Sequence, residues 1–343
     1  MTESCCAKNS CCCSGGTEHV PVPVVSTSLS FKDVLGSLAV RSNISRMDYR
    51  VKPGLYAVGT PNSDSPILVS ANYKLTFDTL RKNLAGLDCW LLTLDTKGVN
   101  VWCAAGKGTF GTDELVNRIE MVGLSEIITH KKLMVPQLGA SGVCAHEVTR
   151  RTGFSVIFGP VRASDIQAFI AAGYQATKEM RTVKFTFWDR LVLTPIELIE
   201  AAKKSLIIFG VLFLMNFILA HPFDAYDVAA YAGAVIVGTV FIPVLLPFIP
   251  GKAFSWKGWI LGLCWTVFVL WLFRWYAEDT LVLAAGYLLL LPAVSAYLAL
   301  NFTGCSTFTS PSGVLKEMKA ALPLIVSASI IGTVLVLVYK LFL

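Results

Sequence analysis

The residues best suited to chemistry in this chain are thiols. Ten cysteines occur in 343 residues, and Cys5, Cys6, Cys11, Cys12 and Cys13 crowd the N-terminus while Cys89, Cys103, Cys144, Cys264 and Cys305 are scattered singly. Neither set has the spacing of a disulfide framework, so a reducing cytoplasm is the expected compartment. Cys103 stands apart by its neighbours. It lies in Asn100-Val-Trp-Cys-Ala-Ala-Gly-Lys107, after the buried-strand pattern Trp90 to Leu94 and the turn Asp95-Thr-Lys-Gly98. A second short apolar step reads over Val99 to Trp102. Gly106 to Asp113 then carries turn and N-cap residues, and Glu114 to Met121 has helical apolar spacing. A cysteine at the mouth of a helix meets positive potential that favours thiolate, the form that binds metals. The competing reading is a small buried hydrophobe, as many free cysteines are.

The tail cysteines are bunched too tightly for the paired spacings of a zinc ribbon. A soft metal ion content with two thiolates suits them better, so capture of such an ion by Cys5, Cys6, Cys11, Cys12 and Cys13 is one expectation. An acylation site and a passive low-complexity tail are the others. No ferredoxin-type cysteine run occurs, so no iron-sulfur cluster is expected in this chain.

The elements that must position Cys103 follow from periodicity. Residues 1–44 read as a disordered Cys-rich tail and lead-in with no signal peptide. Residues 45–195 alternate short apolar strands (Leu55–Val58, Ile67–Ser70, Trp90–Leu94, Val99–Trp102, Leu133–Val135, Ser155–Phe158) with helical stretches (Thr76–Leu84, Thr112–Val122, Gly142–Arg151, Ser164–Ala172). That pattern predicts a Rossmann-like α/β domain with a mainly parallel sheet, in which ligands bind at the carboxyl ends of strands. Those ends carry Ser70, Asn72, Gly139, Ala140 and Gly159, small or polar residues that let a ligand approach the backbone.

Residues 196–343 are different in kind. Hydrophobic residues make up 54% of the whole chain, and most of the excess lies here. Five spanning helices are expected, near 205–220, 228–248, 256–276, 280–301 and 321–341, preceded by an interfacial helix over Asp189–Glu200. Lys and Arg concentrate before the first span and in the second and fourth connections, which places the N-terminal domain in the cytoplasm and the C-terminus outside. Ionisable residues are sparse within the spans, so an anchor or docking surface is expected rather than an ion relay, with Pro243, Cys264 and Pro292 as packing and kink residues. The formal net charge of +6 is modest and no basic stripe is interleaved with aromatics, so nucleic acid is not an expected partner.

The segment Asn100 to Lys107, continued by Gly108-Thr-Phe-Gly-Thr-Asp-Glu-Leu115, resembles the cap-helix signature of the mercury-methylating corrinoid proteins of anaerobic bacteria and archaea. The resemblance extends over Pro66–Lys74, Pro136–Ala140, Gly142-Val143 and Phe158–Asp165. These outer blocks also resemble the large subunit of the corrinoid iron-sulfur protein of one-carbon metabolism, in which the position of Cys103 is not a thiol. The cysteine therefore separates the two likenesses.

The first resemblance implies a corrinoid of cobalamin type, with Cys103 as the catalytic residue and lower axial ligand of methylcobalt. Asn100, Val101, Trp102, Ala104, Gly106 and Lys107 would surround the ring. None of His19, His130, His146 or His221 lies in an Asp-x-His-x-x-Gly loop, so histidine is not the expected ligand. Loss of a methyl carbanion to Hg(II) leaves cobalt at higher charge, which an anionic thiolate stabilises. Reloading from a methyl-cation donor then requires a low-potential reductant. The implied partners are a ferredoxin-like [4Fe-4S] protein and a folate-linked methyl-donor methyltransferase. The expected function is a membrane-bound mercury methyltransferase. Its rivals are a membrane-tethered methyl carrier of one-carbon metabolism and a non-catalytic membrane protein that binds soft metals.

Overall fold

The computed structural model describes residues 22–306 and 308–342, so Cys5, Cys6, Cys11, Cys12 and Cys13 lie outside the described residues. The chain forms two compact units, one of residues up to Ser28 with Val51–Ala176, the other of Leu29–Arg50 with Thr177–Leu343. The expected lead-in is not uniform. It contains the short strand β1 (Val24–Val25) and the helix α1 (Phe31–Arg41), whose capping box pairs Ser30 with Asp33.

The first unit continues with β2 (Gly54–Val58), β3 (Ile67–Ala71), α2 (Lys74–Lys82), β4 (Cys89–Leu94), α3 (Val101–Lys107), α4 (Thr112–Met121), α5 (Leu124–Ile127), β5 (Lys132–Val135), α6 (Ala145–Thr152), β6 (Ser155–Phe158) and α7 (Ile166–Ala171). Strand order is β1-β2-β4-β3-β5-β6. β3, β4, β5 and β6 are parallel, but β2 runs antiparallel to β4, so the sheet is mixed. The reason lies in the β2–β3 connection, Gly59–Pro66, which holds no helix and is too short for a parallel crossover. β3 is central and every residue of it is buried, as its unbroken apolar run requires.

Within the parallel part the chain winds from β3 outward to β4, then returns past β3 to β5 and β6. The order therefore reverses between β3 and β5, the kind of switch point at which open α/β sheets bind ligands outside the carboxyl ends of their strands. Expected strands at β2 to β6 are present within a residue or two, whereas Val99–Trp102 is not a strand. Asn100 caps a helix there, and Val101 and Trp102 are its first two residues.

The second unit holds α1, α8 (Phe187–Leu191), α9 (Thr194–Met215), α10 (Ala225–Ile236), a π-helical stretch Val237–Phe241, α11 (Ile242–Leu245), α12 (Phe254–Leu272), α13 (Leu281–Asn301) and α14 (Pro311–Phe342). Among the described residues four helical stretches, not five, are long and apolar enough to cross a membrane: Ala225–Leu245, Phe254–Leu272, Glu278–Gly304 and Ser312–Phe342. The first expected span falls in α9, whose leading half carries Glu197, Glu200, Lys203 and Lys204 and whose apolar remainder ends at Met215. The expected interfacial helix over Asp189–Glu200 is divided between α8 and α9.

Small residues let these helices approach closely. An added Cβ on Gly258 would lie 2.6 Å from Ala296 Cα, and one on Gly262 would lie 2.8 Å from Pro292 Cα. Gly286 of α13 and Gly332 of α14 meet in the same way, each within 3.1 Å of the other's carbonyl oxygen by that measure. Among the described residues no buried side-chain polar atom of this unit lacks a hydrogen-bond partner. Lys340 Nζ lies 2.6 Å from Asp227 Oδ2, with both side chains at most 6% exposed, and the Tyr287 hydroxyl donates to Asp227 Oδ1 at 2.6 Å. Arg190 donates to the carbonyls of Phe185 and Val244, and Lys257 to that of Leu246, so buried cations satisfy backbone oxygens.

Candidate functional site

α3 is seven residues long and defined at both ends. At its start the Asn100 side chain accepts the Cys103 amide at 2.9 Å, and at its end Gly108 takes the left-handed conformation with φ 79°. Val101, Ala104 and Ala105 face the core, a spacing that leaves Trp102, Cys103, Gly106 and Lys107 outward. Cys103 is thus an exposed thiol. Trp102 beside it is 43% exposed, a large aromatic surface that the fold itself leaves uncovered. At Gly106 an added Cβ would meet nothing within 4 Å, so this face is open.

The loop before α3 is held by Asn72. Its side chain is 1% exposed, and its Oδ1 accepts the amides of Thr96 at 3.1 Å and Gly98 at 3.0 Å while its Nδ2 donates to Asp95 Oδ1 at 3.0 Å. Thr96 in turn donates its hydroxyl to the Val99 carbonyl at 2.6 Å. The Asp95 amide donates to Glu114 Oε1 at 2.8 Å, which ties the loop to α4. Lys97 and Gly98 complete the turn with positive φ. A buried side-chain amide that must satisfy its own atoms therefore fixes where Cys103 is presented.

The buried face of α3 packs against the 3₁₀ turn Gln137–Gly139, which follows β5. Phe110, fully buried, fills the space beneath. An added Cβ on Gly139 would lie 2.5 Å from the Phe110 ring, and one on Gly142 would lie 2.1 Å from its carbonyl oxygen. Glycine is required at both places by close approach. The Thr112 amide donates to the Gly142 carbonyl at 3.2 Å and the Thr112 hydroxyl accepts the Cys144 amide at 2.9 Å, joining the loops after β5 and α3.

The expected site residues thus divide. Asn100, Val101, Trp102, Cys103, Ala104, Gly106 and Lys107 are brought together on α3, and Gly139 and Ala140 lie in the turn that supports it. Val69 and Ala71 share a core cluster with Val101 and Ala104, and strand alternation turns Ser70 to the other sheet face. Gly159 is at the same sheet end but beyond the edge strand β6, where an added Cβ would meet Met134 at 3.0 Å. Asp95, Thr96, Thr112 and Glu114 position the site although none is among the expected site residues; the turn composition of Asp95–Gly98 points to the first two, and Thr112 and Glu114 lie in the Gly108–Leu115 segment. Among the described residues no three His, Cys, Asp or Glu side chains converge to hold a metal ion. Burial, with Asp88 adding to it, pushes the Cys89 thiol up to about 12, so that cysteine belongs to the core.

The fold and site define an α/β unit with an exposed thiol at its topological switch point, joined to an apolar helical unit. Comparison with known proteins locates its relatives. Residues 23–170 match the family model described as CO dehydrogenase/acetyl-CoA synthase delta subunit. The acetyl-CoA decarbonylase/synthase complex subunit gamma of Methanopyrus kandleri is 32% identical over 127 residues, covering 36% of this chain and 27% of that protein. The corresponding subunit of Archaeoglobus fulgidus is 31% identical over 142 residues, 40% of this chain and 30% of the relative. The corrinoid/iron-sulfur protein large subunit of Moorella thermoacetica is 28% identical over 161 residues, 46% of this chain and 35% of the relative. The chain thus spans about a third or less of the length of these curated relatives, and Thr177–Leu343 lies outside the residues matched by the family model.

Proposed function

We propose that this chain is a membrane-anchored corrinoid protein that transfers a methyl group to inorganic Hg(II), forming methylmercury, with Cys103 as lower axial ligand of the cobalt. The likenesses above support a corrinoid-protein family and, with it, a methyl-carrier role. The observation that carries the finer reading is the exposed thiol of Cys103 on α3, beside half-exposed Trp102, over the point where strand order reverses.

The residues present fit such a group. The outward face of α3 offers one soft donor, one flat aromatic surface and a glycine with open space above it. A corrinoid, when bound, supplies the methyl group on cobalt. Cys103 contributes an anionic sulfur that favours the higher-charged metal, which directs the methyl to an electrophile such as Hg(II). Asn100 holds the Cys103 amide and Asn72 holds the loop, so the sulfur is presented without rearrangement. Trp102 covers apolar surface and keeps water away from the sulfur, and Lys107 reaches polar groups at the ring's edge. Gly139 and Ala140 act through the turn that supports α3, and Ser70 and Gly159 through the strands that carry them. The apolar helices anchor the chain, with the α/β unit and N-terminus cytoplasmic and the C-terminus outside, which requires the apolar half of α9 to add a fifth crossing to the four. A ferredoxin-like protein supplies the electrons for reloading, and a folate-linked methyltransferase supplies the methyl group. Cys5, Cys6, Cys11, Cys12 and Cys13 capture Hg(II) and pass it on.

The test uses the full chain, purified without oxygen and loaded with corrinoid. Wild type forms methylmercury from Hg(II); Cys103→Ala lowers the rate by about 100-fold or more, since outer-shell partners alone act on a scale of 10 to 100, and changes the cobalt spectrum. An unchanged spectrum and rate would sink the assignment. The relatives' names favour a second reading, a methyl carrier with a different acceptor, for which Cys103→Thr retains methyl transfer to that acceptor.

A further inference from the structure

α1 has its apolar stripe on the outside. Phe31, Val34, Leu35 and Leu38 follow i, i+3, i+4, i+7 spacing and are 77%, 44%, 48% and 57% exposed. The opposite face is the packed one: Val40 is buried, and an added Cβ on Gly36 would lie 2.4 Å from the Tyr49 hydroxyl. Ile44 and Met47 continue the exposed apolar surface beyond the helix. In water such a helix would turn that stripe inward, and its capping box shows that this is a formed helix rather than a frayed one.

Two further observations say what covers the stripe. Between Leu29 and Arg50 the cations Lys32, Arg41, Arg46 and Arg50 outnumber the carboxylates Asp33 and Asp48, and Lys32 lies on the helix beside the apolar face. Just past α1, Asn43 donates its side-chain amide to Glu200 Oε1 of α9. Glu200 sits where α9 changes from Glu197, Glu200, Lys203 and Lys204 to the exposed apolar residues Leu206, Ile207 and Ile208. That change marks the level of lipid headgroups, so the C-terminal end of α1 is tied to that level.

We propose that α1 lies in the plane of an anionic membrane surface, with Phe31, Val34, Leu35 and Leu38 among the acyl chains and the flanking cations at the lipid phosphates. This rests on the membrane reading of the helical unit. It gives the chain an attachment in the headgroup region besides its spanning helices.

The experiment places the photoreactive residue benzoylphenylalanine in the full chain, reconstituted in phosphatidylcholine/phosphatidylglycerol nanodiscs, as Leu38→benzoylphenylalanine or, for reference, as Val267→benzoylphenylalanine on the exposed face of α12. Both positions are expected to give phospholipid adducts by mass spectrometry. The adduct at 38 should be lost when Phe31→Glu and Leu35→Glu are added, with that at 267 unchanged. Lipid capture at 267 combined with only solvent quenching, intrachain or interchain crosslinks at 38 overturns the proposal while leaving the membrane reading intact. Failure at both positions overturns the membrane reading and this inference with it. Replacing phosphatidylglycerol by phosphatidylcholine should lower the yield at 38 severalfold and not at 267; equal yields would remove the anionic preference.

Discussion

The two units each bury a polar cluster, and they use it for opposite ends. In the α/β unit Asn72, Asp95 and Thr96 are withdrawn from water to hold a loop whose next residues leave a thiol and a tryptophan exposed. In the helical unit Asp227, Tyr287 and Lys340 join α10, α13 and α14 and present nothing outward. The same rule, that buried polar groups must be satisfied, thus serves presentation in one unit and assembly in the other. A cluster that presents should be judged by what happens to chemistry when it is broken, and one that assembles by what happens to stability.

The largest effect expected is on assembly. Lys340→Met leaves the Asp227 carboxylate buried without its cation and should cost about 3 to 5 kcal/mol, read as a lowered melting temperature in detergent. The double variant Asp227→Leu, Lys340→Met should recover most of the loss. No recovery would mean that the pair does more than join helices.

Next comes Asn72→Leu, which strands the Thr96 and Gly98 amides and should cost about 1 to 3 kcal/mol. The comparison sharpens if amide exchange then quickens across Asp95–Lys107 and methyl transfer falls, with the helical unit unaffected. Unaltered exchange in α3 would break it.

Asn100→Ala removes the cap on the Cys103 amide and should cost about 1 kcal/mol. Its methylmercury rate should fall while corrinoid binding persists, as absorbance of the loaded protein would record.

The smallest effect separates the buried thiol of the α/β unit from the two exposed ones. Native alkylation at pH 8 followed by peptide mapping should modify Cys103 and Cys144 and spare Cys89. The folded Cys89 keeps its proton up to about 12 whereas the unfolded thiol loses it near 9.0, so its contribution to stability is full below 9.0 and declines as pH rises toward 12. Modification of Cys89 at pH 8 would show that β4 opens.

Much of this was readable from residue order. The strands of the α/β unit are legible because their apolar runs are bounded by Gly, Pro and Asn, whereas the residues around Cys103 leave a buried and a ligating thiol both open until the fold exposes it. Val99–Trp102 misleads because four apolar-rich residues fit either period; the Asn100 cap decides it. α1 hides in a Ser-, Cys- and Pro-rich N-terminus, although Ser30, Asp33 and the Phe31 to Leu38 spacing spell a capped amphipathic helix. Asn72 reads as a ring contact by its place after a strand, and only its partners, more than twenty residues away in sequence, reveal a loop anchor.

Local pattern determined the strands, the helices, the apolar stretches and which residue could act as a soft donor, since each follows from neighbours a few positions away. Tertiary structure alone decided that β2 runs against its neighbours, that strand order reverses beside α3, which way α1 turns its apolar side, and that Ser70 and Cys103 lie on different faces. Those outcomes depend on pairing and burial between distant segments, and no short window of sequence contains both partners.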